Sequence, residues 1–208
     1  MSALVTFSGL DGAGKTTLID ELARELRAHG RRVRVLTMYD DVSFYSRLRR
    51  LRDLFRSAGR SHAGSRAASA RTGPLYAIVR SAPVRRIAFF ADVASLVIRR
   101  LAVTLRRDDV LILDRYLYDT LVDAADGGWP SIPVLLRLAP LPDVPILVDV
   151  DPAHAFARKG EYDVVYLARR RSVYRDIFTR IDGAVVVRND DLVSATAAVR
   201  DAVRHRLG

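Results

Sequence analysis

Residues 9–17 read Gly9-Leu10-Asp11-Gly12-Ala13-Gly14-Lys15-Thr16-Thr17 and match the pattern G-x-x-x-x-G-K-[ST]. The apolar run Ala3–Ser8 in front predicts a short buried strand ended by Gly9. Behind the glycines, Leu18, Ile19, Leu22 and Leu26 form one apolar stripe, which predicts a helix from about Lys15 to His29 with Gly30 as its stop. A glycine turn between a strand and a helix is the context that gives this pattern its chemistry. Glycines let the backbone curl so that successive N–H groups point at phosphate oxygens. The helix N-terminus adds its positive end. A lysine at position 15 bridges the β- and γ-phosphates, and a hydroxyl at position 16 ligates magnesium. Gly9, Asp11, Gly12, Ala13, Gly14, Lys15, Thr16 and Thr17 are therefore the candidate ATP-binding residues, with ATP and Mg2+ as the implied cofactors.

The rest of the chain repeats the alternation of strand and helix. Val33–Thr37, Val110–Leu113, Ile146–Val150 and Ala184–Val187 read as further buried strands. Helices are expected over Phe44–Phe55, Tyr76–Arg106 with a break near Pro83, Ala153–Arg158, Val165–Ile181 and Leu192–Arg206. Gly127–Pro130 reads as a turn, and Ser57–Pro74, rich in Gly, Ser, Ala and Arg without an apolar period, as a mobile loop. Short apolar strands alternating with helices imply a parallel sheet covered on both faces. The expectation is a single α/β domain over residues 1–208, a three-layer P-loop NTPase fold with a five-stranded parallel sheet and a mobile lid at about 158–174.

Composition narrows the function. The 208 residues hold no cysteine, which excludes disulfides and zinc–thiolate sites. No secretory signal precedes the glycine motif, and Asp92, Arg99 and Arg100 break the apolar stretch Ile87–Leu105, so a buried helix is read there and not a membrane span. A cytoplasmic protein is expected. The net charge of +10 favours anionic partners such as nucleotides. Among 34 basic residues only Lys15 and Lys159 are lysine. A compact ammonium at these two positions is not replaceable by a planar guanidinium on the functional reading; on the other, two lysines survive by chance.

A second carboxylate follows. Asp109–Tyr116 is a buried strand ending in Asp114-Arg115-Tyr116. An aspartate at the carboxyl end of such a strand holds magnesium directly or through water, so Thr16 and Asp114 are the candidate metal ligands. Arg115 then stands ready to stabilise the transferring charge, or pairs with Asp114 as a structural ion pair.

The run Phe7–Thr17 resembles the opening of thymidylate kinases, and Asp114-Arg115-Tyr116 is similar to that family's D-R-Y signature. The resemblance implies that Asp11 lies near the acceptor's sugar and the magnesium shell, its other reading being a turn aspartate, and that Arg115 contacts the acceptor. Asp149-Val150-Asp151-Pro152 is similar to the family's L-D-V-x-P run, after which a lid closes over ATP. In members with a Gly-Ala phosphate loop, like Gly12-Ala13 here, a lid arginine supplies catalytic charge; Arg158 and Lys159 are the first candidates and Arg170 the next, against a solvated basic helix. The candidate catalytic set is Lys15, Asp11, Arg115, Arg158 and Lys159. The acceptor is expected against Asp11, Asp40, Phe90, Arg115 and Tyr116. The resemblance also implies a homodimer through the central helix, with Ile87–Leu105 as the contact.

Two acceptor-side segments depart from the family pattern. Met38-Tyr39-Asp40-Asp41 stands where the family has Arg-Glu-Pro, and Ala91-Asp92-Val93 where an A-x-R arginine grips the acceptor phosphate. Either other arginines, such as Arg47, Arg80 or Arg115, take over a nucleotide phosphate, or the acceptor is a hydroxyl of a nucleoside, sugar or other metabolite. A hydroxyl acceptor would gain from Asp40 or Asp41 as base; both aspartates also suit a helix cap. Rival classes are a nucleotide-binding regulator without turnover and a nucleic-acid binder. The second rests on Arg47, Arg49, Arg50, Arg52, Arg56 and Arg60, a run without interleaved stacking aromatics, so no nucleic-acid partner and no membrane partner is expected. No N/T-K-x-D guanine motif occurs.

Overall fold

The five apolar runs become β1 (Ala3–Gly9), β2 (Val33–Thr37), β3 (Val110–Asp114), β4 (Val144–Asp149) and β5 (Val185–Arg188). They form one all-parallel sheet in the order β2-β3-β1-β4-β5. The computed structural model describes residues 2–42, 82–105, 108–125, 136–137, 139–160 and 162–207. The expected helix 44–55, the loop 57–74 and the turn 127–130 lie outside the described residues.

β1, β3 and β4 are apolar almost without interruption because both faces of the sheet are covered. Leu4, Val5, Phe7, Leu111, Ile112, Leu113 and Ile146 are fully buried. On one face α1 (Lys15–Ala28) packs against α6 (Leu192–Leu207). The other elements are α2 (Ala82–Leu105), α3 (Leu117–Ala125), α4 (Pro152–Lys159) and α5 (Val164–Phe178). α2 and α5 both pack on α3.

Boundaries follow local chemistry. The described part of α2 runs from Ala82 and includes Pro83, while residues 76–81, on the other side of the expected break, lie outside the described residues. β4 begins two residues before the expected Ile146 and takes in Pro145, which sits near the strand's start. Asp151 caps α4 by accepting from Ala153 N at 2.9 Å, and Asp163 caps α5 by accepting from Tyr166 N at 2.8 Å. Between them Gly160 ends α4 in the left-handed conformation, φ 65°. No described helix is long and apolar enough to cross a membrane.

Because all five strands are parallel, their carboxyl ends open on one edge, with β1 in the middle. Residue 11 follows β1, residue 39 follows β2, residues 114 and 115 close β3, 149 and 151 close β4, and 189 follows β5.

Candidate active site

The turn after β1 is held open by what surrounds it. Gly14 has φ 82°, and a Cβ there would meet Asn189 Nδ2 at 2.4 Å. Gly12 has φ 84°, and a Cβ there would meet the Ala155 carbonyl oxygen on α4 at 2.5 Å. Both positions need glycine for conformation and for space. Ala13 is buried, and its carbonyl accepts from Asn189 Nδ2 at 2.7 Å. The Lys15 ammonium is buried and donates to the carbonyls of Gly9 (3.0 Å) and Leu10 (2.8 Å). Burial, with the Arg115 cation adding to it, pushes the Lys15 ammonium down to about 8. Thr16 and Thr17 are exposed at the head of α1.

At the end of β3, Asp114 stands beside Phe7 of β1 and Thr37 of β2 in the sheet register. Its Oδ1 is buried and accepts no hydrogen bond among the described residues. Burial pushes the Asp114 carboxyl up, and Lys15 and Arg115 pull it part of the way back. An orphaned buried carboxylate oxygen and an exposed threonine that line one cavity with the phosphate turn fit a hard cation.

Arg115 has φ 66°, alone among the described non-glycine residues in the left-handed region. Its backbone N–H is held by the Phe7 carbonyl at 2.8 Å. Its guanidinium donates to Asp11 and, at 3.3 Å, to Asp119, and lies 5.4 Å from the Tyr39 ring centre. Burial works against this cation, but Asp119, Tyr174 and Asp11 around it keep its pKa above the usual value. Asp119 is the hub beneath. It is fully buried and accepts from Ser8 Oγ (2.6 Å), Tyr116 N (2.9 Å) and Tyr174 Oη (2.7 Å). The bond to Tyr116 N is a capping-box contact, an acidic side chain in the first turn of α3 reaching back to the preceding N–H.

The far wall comes from α4 and α5. Arg158 leans on the phosphate turn, within 3.5 Å of the Gly12 carbonyl and 3.4 Å of the Asn189 carbonyl. The Lys159 ammonium lies 3.7 Å from Asp11. On α5, Arg171 makes a two-point contact with Asp149 (2.6 and 2.8 Å), and Arg175 adds a third bond at 2.8 Å. Burial disfavours the Asp149 carboxylate, yet the hydrogen bonds and charge of Arg171, then Arg175, hold it below the usual range.

Two cavities result. One, of about 460 Å³, is lined by the phosphate turn, Asp114, Arg115, Arg158 and Lys159. The other, of about 220 Å³, is lined by Tyr39, Tyr162, Tyr166, Leu167 and Arg170. Asp11 and Arg115 line both. A third cavity, about 340 Å³, opens between α1 and α6 by Ala3 and Val110, at the amino ends of the strands; its Glu25 is already paired with Arg200 and Arg204. Among the described residues, no phosphate turn or orphaned carboxylate faces it.

The predicted residues fall in different places. Gly12, Gly14, Lys15, Thr16, Thr17, Asp11, Asp114, Arg115, Arg158 and Lys159 meet around the first cavity. Tyr116, expected at the acceptor, is instead fully buried; its hydroxyl donates to the Pro140 carbonyl and its ring packs edge-on against Tyr118. Phe90 is 53% exposed on α2 and lines neither cavity. The Asp40 side chain lies outside the described residues, whereas the Asp41 carboxylate accepts from Thr37 N at 2.9 Å and closes a π-helical turn, Met38–Val42. Sequence reasoning missed Tyr39, Asp119, Asp149 as an anchor, and Asn189. For Asp119 a signal existed: a carboxylate three residues after Tyr116 has the spacing of a capping box.

A central strand turning through a glycine loop into a helix, with a lysine buried under that loop and a lone carboxylate at the next strand's tip, makes this a P-loop NTPase fold. Comparison narrows it further. The chain is 32% identical over 157 residues to a thymidylate kinase of Xanthomonas euvesicatoria pv. vesicatoria (strain 85-10), covering 74% of this chain and 59% of that protein. It is 30% identical over 192 residues to a thymidylate kinase of Bifidobacterium longum (strain DJO10A), covering 85% of this chain and 84% of that protein. It is 26% identical over 160 residues to one of Lactobacillus delbrueckii subsp. bulgaricus. The chain belongs to the thymidylate kinase family, although it spans about three fifths of the length of its Xanthomonas relatives. No family model matches it.

Proposed function

We propose that this protein is an ATP-dependent nucleoside monophosphate kinase that moves the γ-phosphoryl group of ATP to the phosphate of dTMP, giving dTDP and ADP. The observation that carries the reading is the pair of adjoining cavities sharing Asp11 and Arg115. One has the phosphate turn and the other an aromatic lining, as a donor and an acceptor site meeting at the reacting phosphoryl group would. An acceptor phosphate oxygen attacks the γ-phosphorus and the bond to the β–γ bridging oxygen breaks, its electrons leaving with ADP.

In this reading the turn amides and Lys15 bind the donor's phosphates. Thr16 and Asp114 would hold magnesium, which would neutralise charge on the donor's phosphates. Arg115 lies at the wall between the sites, where charge on the transferring group passes. Arg158 and Lys159 bring two more cations to the donor cavity from α4. Asp151 and Asp163 cap the two helices that flank Gly160, so the connection between them would be the moving part of the lid expected at about 158–174. Arg171 and Tyr174 are anchored to Asp149 and Asp119.

The hydroxyl-acceptor alternative needs a carboxylate base. Asp41 is engaged with the Thr37 amide, which argues against it as that base. A homodimer is supported by α2, where Phe90, Val97, Ile98, Leu101 and Leu105 are each more than half exposed at helical spacing. A nucleotide kinase drawing on Mg·ATP belongs in the cytoplasm.

The test is acceptor-dependent ADP release with dTMP, other nucleoside monophosphates, nucleosides and sugars. Turnover with dTMP that exceeds the thymidine rate supports the proposal. ATP binding without stimulation by any acceptor would leave a nucleotide-binding regulator.

A further inference from the structure

Arg169, Arg170 and Arg171 are consecutive on α5, so the helix turns each about 100° from the next. Their surroundings differ accordingly. Arg169 is exposed. Arg171 is bound to Asp149. Arg170 alone of the three lines the 220 Å³ cavity.

Arg170 is held there firmly. Its guanidinium lies 5.6 Å from the Tyr166 ring centre and 5.9 Å from that of Tyr174, and it donates to the Tyr166 hydroxyl at 3.1 Å. Tyr166, Arg170 and Tyr174 stand four residues apart on one helical face. Tyr174 is buried and tied to Asp119, and the neighbouring Arg171 is tied to the end of β4. Both anchors follow the arginine in the helix, and Leu167, three residues before it, is buried in the core, so Arg170 belongs to the anchored part of α5.

The cavity that it enters also holds Arg115 and, as the one carboxylate among the described lining residues, Asp11. Tyr162 and Tyr166 form one wall, with ring centres 5.0 Å apart and planes inclined by 30°. Two guanidiniums and a tyrosine wall suit a ligand that is anionic at one point and planar at another. Val93 of α2 packs against the hydrophobic core and offers no charge.

We infer that Arg170, on α5, is the specificity-determining residue for the acceptor: a preformed anion ligand that, with Arg115, selects a nucleoside monophosphate over the nucleoside. This rests on the kinase reading above and adds to it the residue that grips the acceptor's own phosphate. Arg170 thereby does from α5 what Val93 cannot do from α2, and it acts on the acceptor, not as a catalytic cation on ATP. Since the site is preformed, it binds without ATP.

The experiment is calorimetry of full-length wild type, Arg170→Gln and Arg170→Lys with dTMP and with thymidine, without ATP, followed by steady-state kinetics. Wild type is expected to bind dTMP more tightly than thymidine. Arg170→Gln is expected to weaken dTMP binding and raise the dTMP KM about 10- to 100-fold, leaving thymidine binding and the ATP KM unchanged. Arg170→Lys keeps the charge without the fork and should fall between. A structural defect would move thymidine and ATP as well, and the melting curve of each variant reports it independently. Active wild type with no preference for dTMP over thymidine, or an Arg170→Gln variant with wild-type dTMP affinity, overturns the inference and spares the kinase reading. No acceptor-dependent ADP from wild type overturns the kinase reading itself.

Discussion

The Arg115 guanidinium is bonded to the Asp11 carboxylate, and this ion pair forms the partition between the donor and acceptor cavities. A residue before α1 and a residue after β3 are thus joined at the point where the two substrates of a phosphotransferase must meet. Arg115→Ala is expected to lower kcat about 100- to 1,000-fold with a small effect on ATP affinity. Because Asp11 orients the same guanidinium, Asp11→Asn in the Arg115→Ala background should add little. Full additivity of the two losses in steady-state kinetics would show that they work separately.

Lys15→Ala is expected to abolish turnover and leave the fold intact. In the wild type the ammonium is buried under the turn that it serves, and its charge is disfavoured there, so its removal should not lower the melting temperature. Wild-type turnover in the variant would refute the assignment of the phosphate turn.

Asn189 is buried, bonds the Ala13 carbonyl and occupies the space beside Gly14. Asn189→Ala would leave that carbonyl without its partner and the turn without its brace. The expected loss in ATP affinity is roughly 10-fold, measured by titration with a non-hydrolysable analogue. Asn189→Asp should do worse, since it sets a carboxylate against a carbonyl. Unchanged affinity in both variants would make the contact incidental.

Asp149 binds Arg171 and Arg175 and keeps α5 on the sheet. Its folded pKa is lowered from the ordinary 3.8, so its contribution is present above that value and lost as pH falls through the folded pKa. Asp149→Asn should therefore melt below wild type at neutral pH, and the gap should close as the pH drops below about 3.8. A gap that stays constant with pH would assign the loss to packing. Removing one partner of such a buried pair costs on the order of 2–4 kcal/mol, so Arg171→Ala should be clearly less stable as well.

Leu101 is 59% exposed in the middle of the apolar stripe on α2. If that stripe joins two copies, Leu101→Glu should shift the mass in light scattering from dimer to monomer with the fold retained. A wild type that is already monomeric refutes the dimer.

Sequence reading located the five strands to within one or two residues because each is an apolar run too short for a helix, unlike the long apolar stretch Ile87–Leu105. The phosphate turn was equally legible, since its spacing and its neighbours agree. The acceptor side was not. Tyr116 follows the motif residues Asp114 and Arg115, yet its ring faces the core, and adjacency in sequence carries no information on direction once a strand has ended. Asn189 meets Ala13 across 176 residues, so no local pattern announces it. Arg170 was readable in principle. The buried residues Leu167, Tyr174, Ile177 and Phe178 fix which side of α5 faces inward, and Arg170 lies four residues before Tyr174.

The three arginines of α5 have a consequence for how this helix tolerates change. Their identity is the same and their azimuth is not, so the segment is addressed by angle. Deleting one residue between the Asp163 cap and Arg169 would shift each guanidinium into its neighbour's bearing. Composition, charge and helix length would barely alter, while every one of the three would be misdirected.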